Sequence, residues 1–212
     1  KEVLTGKAKF GIFGDGKELA QIAWSKVFQK GDFRSGYYRD QTVMLALDQL
    51  EISAYFSALY AHASLEHEPT SGGRQMGGHY ATRTLDDKGE WKDLMAQVNS
   101  SADISPTAGQ MPRLLGLAQA SKVYRSLPEL AEQMKTFTSN GNEIAFGTIG
   151  DASTSEGLFW ETMNAASVLE VPMLMSVWDD GYGISVARKF QTTKSSISKA
   201  LAGFEANEDG NG

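Results

Sequence analysis

Gly150-Asp151 and Asp179-Asp180-Gly181-Tyr182 each follow a short apolar run. Residues 153 to 178 lie between them and read as one helix and one strand. That spacing brings two distant carboxylates, Asp151 and Asp180, to one edge of a parallel sheet. Two carboxylates so placed can hold a divalent cation against a phosphate.

The elements that must position them are local. Glu143 to Ile149 is mostly apolar and bounded by Gly141 and Gly150, which suits a buried strand. Ser153-x-x-Glu156 has the form of a capping box that opens a helix. Phe159, Met163, Ala166 and Leu169 follow at helical spacing. Pro172 ends the helix, because proline and the residue before it both resist helical geometry. Pro172 to Trp178 is a second apolar strand. Such a strand, helix, strand unit makes a parallel pair with a right-handed crossover. A helix of about 16 residues descends roughly 24 Å, and a strand of about seven climbs back roughly 23 Å. Asp151 and Asp180 therefore sit just past the carboxyl ends of their strands, where open α/β sheets bind ligands. The helix start near Ser153 offers free N–H groups and a positive dipole end to an anion.

A single aspartate at such a place is ordinarily a cap or a turn residue, so the pairing carries the reading. Gly14-Asp15-Gly16 is the internal comparison. Val43 and Met44 stand where its partner pair would be, so it reads as a turn before the first helix.

The 212 residues are 41% hydrophobic with 22 Gly and 5 Pro, which fits one sizeable α/β domain. A net charge of −6 and the lack of a basic run argue against nucleic acid as a partner. Without cysteine there are no disulfides, thiolate metal sites or cysteine nucleophile, and the compartment stays open. The first residues are no signal peptide and no apolar run suits a membrane span, so a cytoplasmic location away from membranes is expected. The opening without Met and the polar stretch Glu205 to Gly212 suggest a piece of a longer protein.

Further helices are expected over Lys17 to Gln29, with Leu19, Ile22, Ala23, Val27 and Phe28 facing the core, and over Thr42 to Leu50, Ile52 to Ser64, Gln110 to Tyr124, Pro128 to Phe137 and Lys194 to Phe204. Ser35 to Asp40 reads as a short aromatic strand or turn, and Pro69 to Gly78 as a glycine-rich loop. Arg39 is either a surface arginine or a diphosphate ligand, since a guanidinium binds phosphate through two parallel hydrogen bonds. His79 ends the glycine-rich loop. His62 and His67, five apart on an expected helix, share no face and make a poor metal pair.

Gly150-Asp151-Ala152, the intervening residues and Asp179-Asp180 resemble the thiamine diphosphate motif Gly-Asp-Gly, roughly 26 residues, Asn-Asn. Tyr38-Arg39, Gly73-Arg-Gln-Met76 with His79-Tyr80, Ser105-Pro106, Gln110-Met-Pro112, Ser155-Glu-Gly157 and Gly181-Tyr-Gly-Ile-Ser185 appear in order. Over about residues 16 to 204 the chain resembles the α chain, or the α-type half of a fused chain, of the decarboxylating component of 2-oxo acid dehydrogenase complexes. The Gly-Arg-Gln-Met and His-Tyr pieces lean to the branched-chain type.

The resemblance implies a three-layer α/β sandwich with a mostly parallel sheet, the diphosphate-binding half of the thiamine diphosphate fold, within the transketolase-like superfamily. It implies an N-terminal arm over 1–15, a cofactor domain over 16–204 and a flexible end over 205–212. Asp151, Asp180 and the Tyr182 carbonyl would hold Mg²⁺, an ion that favours hard oxygen ligands. Tyr38 and Arg39 would hold the diphosphate, and Gly150, Ala152, Ser153 and Ile184 would complete the cofactor site. Ser105 and the backbone at Thr107 would lie beside the aminopyrimidine. His79 would line the active-site mouth as the catalytic candidate. The reaction would be oxidative decarboxylation of a 2-oxo acid with acyl transfer to a lipoyl-bearing acyltransferase. A pyrimidine-binding β chain or a fused C-terminal half would supply the rest of the site, in a dimer or heterotetramer. Other readings of the acidic pair are a transketolase-like enzyme, a Mg²⁺-dependent phosphohydrolase, and a relic that no longer binds cofactor.

Three residues depart from the family pattern. Ala152 replaces the second glycine of the motif. Gly109 stands where the family often has a hydroxyl that helps bind potassium, so no potassium site is expected. Asp179-Asp180 replaces Asn-Asn and adds negative charge beside a metal and a diphosphate. Arg39, Arg188 or Lys189 must then compensate, or Asp180 keeps a raised pKa. The extra charge is expected to tighten metal binding and to weaken cofactor binding in metal-poor conditions. Asp180→Asn should loosen Mg²⁺ in a titration of the cofactor-saturated protein, and unchanged metal affinity contradicts this.

Overall fold

The chain enters through the turn at Gly14-Asp15-Gly16, where Gly16 takes φ +79°, and passes into helix α1 (Glu18–Ser25). A computed structural model describes residues 1–8, 11–75, 77–206 and 208. Strand β1 (Phe33–Ser35) follows, then α2 (Gln41–Ala46), α3 (Ile52–Leu59), β2 (Asn99–Ser100), α4 (Met111–Ser126) and α5 (Pro128–Gln133). The strand, helix, strand unit read from the sequence is β3 (Ala145–Gly150), α6 (Gly157–Leu169) and β4 (Met173–Trp178). A small antiparallel ribbon, β5 (Tyr182–Gly183) with β6 (Val186–Ala187), and helix α7 (Ile197–Leu201) complete the order.

The four main strands are all parallel, in the order β2-β1-β3-β4. The order reverses around β1: the chain steps outward to β2, then crosses back to lay β3 on the other side. The switch point falls between the carboxyl ends of β1 and β3, where such sheets leave a ligand crevice. β3 alternates between two cores. Ala145 and Ile149 join Met111, Leu114 and Ala118 of α4 and Phe159 of α6, while Phe146 faces Trp24, Phe28 and Val43. Helices thus cover both faces, giving the three layers. A Cβ on Gly147 would lie 2.2 Å from Leu114 Cδ2, so α4 approaches β3 too closely for any other residue.

Several expectations about the elements are overturned. α1 ends at Ser25, and its apolar face is not the one read from spacing: Leu19 is 82% exposed and Val27 56%, while Gln21 and Trp24 are buried. Gln21 is held inside because its side chain donates to the Arg39 carbonyl (2.8 Å) and accepts from Val43 N–H (3.2 Å). The capping box does not form. Residues Ala152–Ser155 make a 3₁₀ turn, and α6 starts at Gly157 with Glu156 as an N-cap that makes no side-chain cap bond. α3 ends at Leu59, so His62 and His67 lie beyond it, with ring centroids 4.8 Å apart. The last helix starts at Ile197, capped by Ser196, because Lys194 and Ser195 adopt positive φ. The expected N-terminal arm is docked at Ile12, whose carbonyl accepts from Gln41 and Tyr55. The expected flexible end falls mostly on 207 and 209–212, and these, with Met76 of the glycine-rich loop, lie outside the described residues.

One ionic network joins the strand ends. Arg34 of β1 is completely buried. Its guanidinium donates to Asp40 from Nε (3.0 Å) and Nη2 (2.6 Å), to both oxygens of Asp103 (3.0 Å each), to Ser100 Oγ (2.7 Å) and to the Tyr37 carbonyl (3.1 Å). Asp40 also accepts from Thr148 Oγ1 of β3 and from Trp178 Nε1 of β4 at 2.8 Å. A Cβ on Gly36 would lie 2.2 Å from Asp40 Oδ2, so the turn closes on this network only with glycine there.

The motif's missing glycine has a local counterpart. A Cβ on Gly183 would lie 2.6 Å from the Ala152 methyl and 2.7 Å from both amide atoms of Gln191, so Ala152 and Gln191 together favour glycine where the β5–β6 ribbon closes over the 152 turn.

Two stability outcomes follow. Arg34→Met leaves Asp40 and Asp103 without their cation and should cost about 3–5 kcal/mol in urea denaturation; an unchanged midpoint would mean that the network does not hold the sheet ends. Gly183→Ala should cost about 1–3 kcal/mol by overpacking and recover in part when combined with Ala152→Gly, which leaves the Gln191 amide in place. A double variant no better than Gly183→Ala alone rejects the pairing.

Candidate functional site

The turn after β1, the 3₁₀ turn after β3 and the segment after β4 converge on one cleft of about 340 Å³ at the switch point. Tyr38, Arg39, Thr107, Gly150, Asp151, Ala152, Ser153, Asp180, Tyr182 and Ile184 all line it. Lys17, Tyr37, Trp178, Gly183, Val186 and Gln191 also line it, and sequence reasoning had not placed these in a site. Ser105 and His79 do not line the cleft. They bond each other instead, with His79 Nε2 3.1 Å from Ser105 Oγ and Nδ1 3.2 Å from the Gly77 carbonyl.

Each polar group is delivered by backbone that the sheet fixes. Gly150 pairs with Trp178 in register, and Asp151 N–H donates to the Trp178 carbonyl at 3.3 Å. Asp151 therefore leaves β3 beside the end of β4, and Asp180 follows two residues on. Arg39 sits in the turn that Asp40 closes. Its Nη1 donates to Tyr38 Oη at 3.2 Å, and it makes no ion pair with a carboxylate among the described residues.

The two carboxylates differ. Asp151 is 5% exposed. Burial, and then the negative charge of Asp180, push its pKa up. It has no cationic partner among the described residues. For Asp180 burial also pushes upward, but the Lys17 hydrogen bond, the Tyr182 N–H and the charges of Lys17 and Arg39 outweigh it and hold the carboxyl below its ordinary value. Lys17 Nζ lies 2.9 Å from Asp180 Oδ2, and Tyr182 N–H donates to Oδ1 at 3.1 Å. Arg39 thus helps as expected, whereas the alternative of a raised Asp180 pKa, and the help of Arg188 or Lys189 at Asp180, are overturned. Arg188 pairs with Asp179, and Lys189 lies over the Phe190 ring at 4.8 Å. Lys17, 163 residues away in sequence, compensates as well.

A divalent cation and a diphosphate fit this donor set. A buried carboxylate with no cationic partner among the described residues, next to a second carboxylate, calls for a cation, and hard oxygens suit Mg²⁺. Among the described residues no three His, Cys, Asp or Glu side chains gather to hold a metal, so the Tyr182 carbonyl and the bound ligand must complete any coordination shell. Arg39 offers an unpaired guanidinium to a phosphate. Tyr37 Oη is buried without a hydrogen-bond partner at the cleft wall. Ile184 is fully exposed and holds φ +57°, a conformation that costs a β-branched residue about 1–3 kcal/mol and marks functional sites. At Gly109 a Cβ would lie 2.7 Å from Ile104 Cδ1, so a hydroxyl side chain does not fit there without movement.

Comparison with known proteins agrees with this geometry. Residues 4–207 match the model of a family described as dehydrogenase E1 component. The chain is 29% identical over 201 residues to the 2-oxoisovalerate dehydrogenase subunit alpha of Bacillus subtilis, covering 94% of this chain and 51% of that protein. It is 24% identical over 199 residues to the mitochondrial subunit alpha of Mus musculus (94% and 38%), and 25% identical over 181 residues to subunit alpha 1 of Arabidopsis thaliana (85% and 31%). The chain thus spans between about a third and half of the length of these relatives. With its parallel sheet and its cleft at the switch point, the chain belongs to the dehydrogenase E1 component family.

Proposed function

We propose that the chain is the diphosphate-binding half of a thiamine diphosphate-dependent dehydrogenase that acts on a branched-chain 2-oxo acid. The observation that carries this reading is the convergence of Arg39, Asp151 and Asp180 on one cleft at the switch point. The family match and the names of the relatives support the class of substrate.

When bound, thiamine diphosphate supplies the carbanion-stabilising chemistry that decarboxylation of a 2-oxo acid requires. This chain's residues bind and orient it. Asp151 and Asp180, with the Tyr182 carbonyl, hold Mg²⁺. Arg39, steadied by Tyr38, holds the diphosphate. Gly150, Ala152 and Ser153 present backbone at the start of the crossover, where an anion is favoured. Thr107 edges the cleft, and Ile184 offers an exposed apolar surface for the cofactor to cover. Ser105 and His79 form the neighbouring pair toward the substrate entrance.

The activating groups on the pyrimidine side come from a β chain or a fused C-terminal half, and the acyl product passes to a lipoyl-bearing acyltransferase. The complete enzyme is then a dimer or heterotetramer. Among the described residues no helix is long and apolar enough to cross a membrane; a cytoplasmic location is part of the proposal.

Thiamine diphosphate with Mg²⁺ should raise the unfolding temperature of the complete protein, with a stabilisation of about 2.7 kcal/mol at a hundredfold excess over Kd. Residues 1–212 alone should not decarboxylate a branched 2-oxo acid. Turnover by this piece, or cleavage of a phosphate ester with no response to thiamine diphosphate, contradicts the assignment.

A further inference from the structure

Lys17 is the one lining residue whose charge the motif does not explain. It follows Gly14-Asp15-Gly16, the turn that lacked a partner pair. Its side chain is 9% exposed, and its Nζ meets Asp180 Oδ2 at 2.9 Å inside the cleft. The lysine is placed by the same scaffold that places Arg39. Its N–H donates to the Gly14 carbonyl at 3.1 Å. A Cβ on Gly14 would lie 2.7 Å from the Arg39 carbonyl, the same carbonyl that Gln21 of α1 binds at 2.8 Å. The ammonium is therefore delivered on backbone clamped to the turn that carries Arg39. It is no free surface lysine that folded over.

Charge decides what this does. Lys17 and Arg39 offset Asp151 and Asp180 in the cleft lining. Without Lys17 the lining would carry one net negative charge, an unfavourable setting for a diphosphate even with a divalent cation present. With Lys17 but a neutral residue at 180, an unpaired ammonium would face that cation.

We infer that Lys17 and Asp180 are a single charge-balanced unit of the cofactor cleft, in which the lysine lets an aspartate serve as the metal ligand without repelling the diphosphate. Lys17 is thereby a cofactor-positioning residue. This rests on the thiamine diphosphate reading above.

The test is a double-variant cycle on the complete protein, with thiamine diphosphate and Mg²⁺ as titrants and Trp178 fluorescence or calorimetry as the readout. Lys17→Met should weaken thiamine diphosphate at least about tenfold, the scale of one lost charge-assisted bond. Asp180→Asn should weaken Mg²⁺. The combined variant should bind both more tightly than the sum of the single losses allows. Lys17→Arg should stay near the wild type. The unfolding temperatures of the ligand-free variants separate this from a bridge that only holds the fold, which would lower stability and leave affinity per folded molecule unchanged. If Lys17→Met does not fold, Asp180→Asn and the neutral double variant still decide the matter, because coupling requires the double variant to bind Mg²⁺ better than Asp180→Asn. Wild-type binding with additive variants overturns the coupling alone. A wild type that binds no thiamine diphosphate overturns the site assignment and this inference with it.

Discussion

The guanidinium of Arg34 is the point on which the cleft depends. It is buried completely and binds two carboxylates that are themselves buried, Asp40 and Asp103. Removing charges from water is expensive, and such groups rarely repay the cost in stability over an apolar core. Their use here is geometric. Asp40 touches β1 through Arg34, β3 through Thr148 and β4 through Trp178. Asp103 adds the segment after β2 and the Tyr80 N–H. All four parallel strands are therefore referenced to one planar cation at their carboxyl ends. The turn carrying Tyr38 and Arg39 is wrapped around it, so the phosphate-facing guanidinium is positioned by a second guanidinium that never reaches solvent.

The cleft itself is organised by unequal treatment of its carboxylates. Asp151 is buried with no cationic partner among the described residues, and its pKa rises; that of Asp180, more open and paired with a lysine, falls. Among those residues Asp151 lacks a cation, whereas Asp180 already has one in Lys17. A divalent ion would relieve Asp151 and share Asp180 with Lys17. The same economy appears in the packing. The Ala152 methyl and the Gln191 amide both pack where a Gly183 side chain would stand, so Gly183 makes room for the altered motif residue across the cleft wall.

Much of this was legible. Two apolar runs ending in acidic residues, with a helix between, contained the β3–α6–β4 unit and the placement of Asp151 and Asp180. The motifs contained Arg39, Thr107 and Ile184. What the sequence hid was long-range polar pairing. Periodicity assigned Leu19, Ile22 and Val27 to the core because it counts apolar residues, whereas Gln21 wins the buried face through two hydrogen bonds to chain 18 and 22 residues away. Lys17 looked like a helix-start residue because nothing local announces a partner 163 residues on. Arg34 precedes the expected Ser35 to Asp40 segment, and nothing local marks it as a buried cation with two carboxylate partners. The helix after β3 was placed three residues early, with Ser153 rather than Glu156 as its N-cap, because a capping pattern cannot be told from a 3₁₀ turn by residue type.

Diffraction from the complete protein with thiamine diphosphate and Mn²⁺ in place of Mg²⁺ bears most directly on the central claim. One anomalous peak should lie between the carboxylates of Asp151 and Asp180 and the Tyr182 carbonyl, with the diphosphate against Arg39. A metal bound elsewhere, or cofactor density away from the cleft between β1 and β3, would contradict the account.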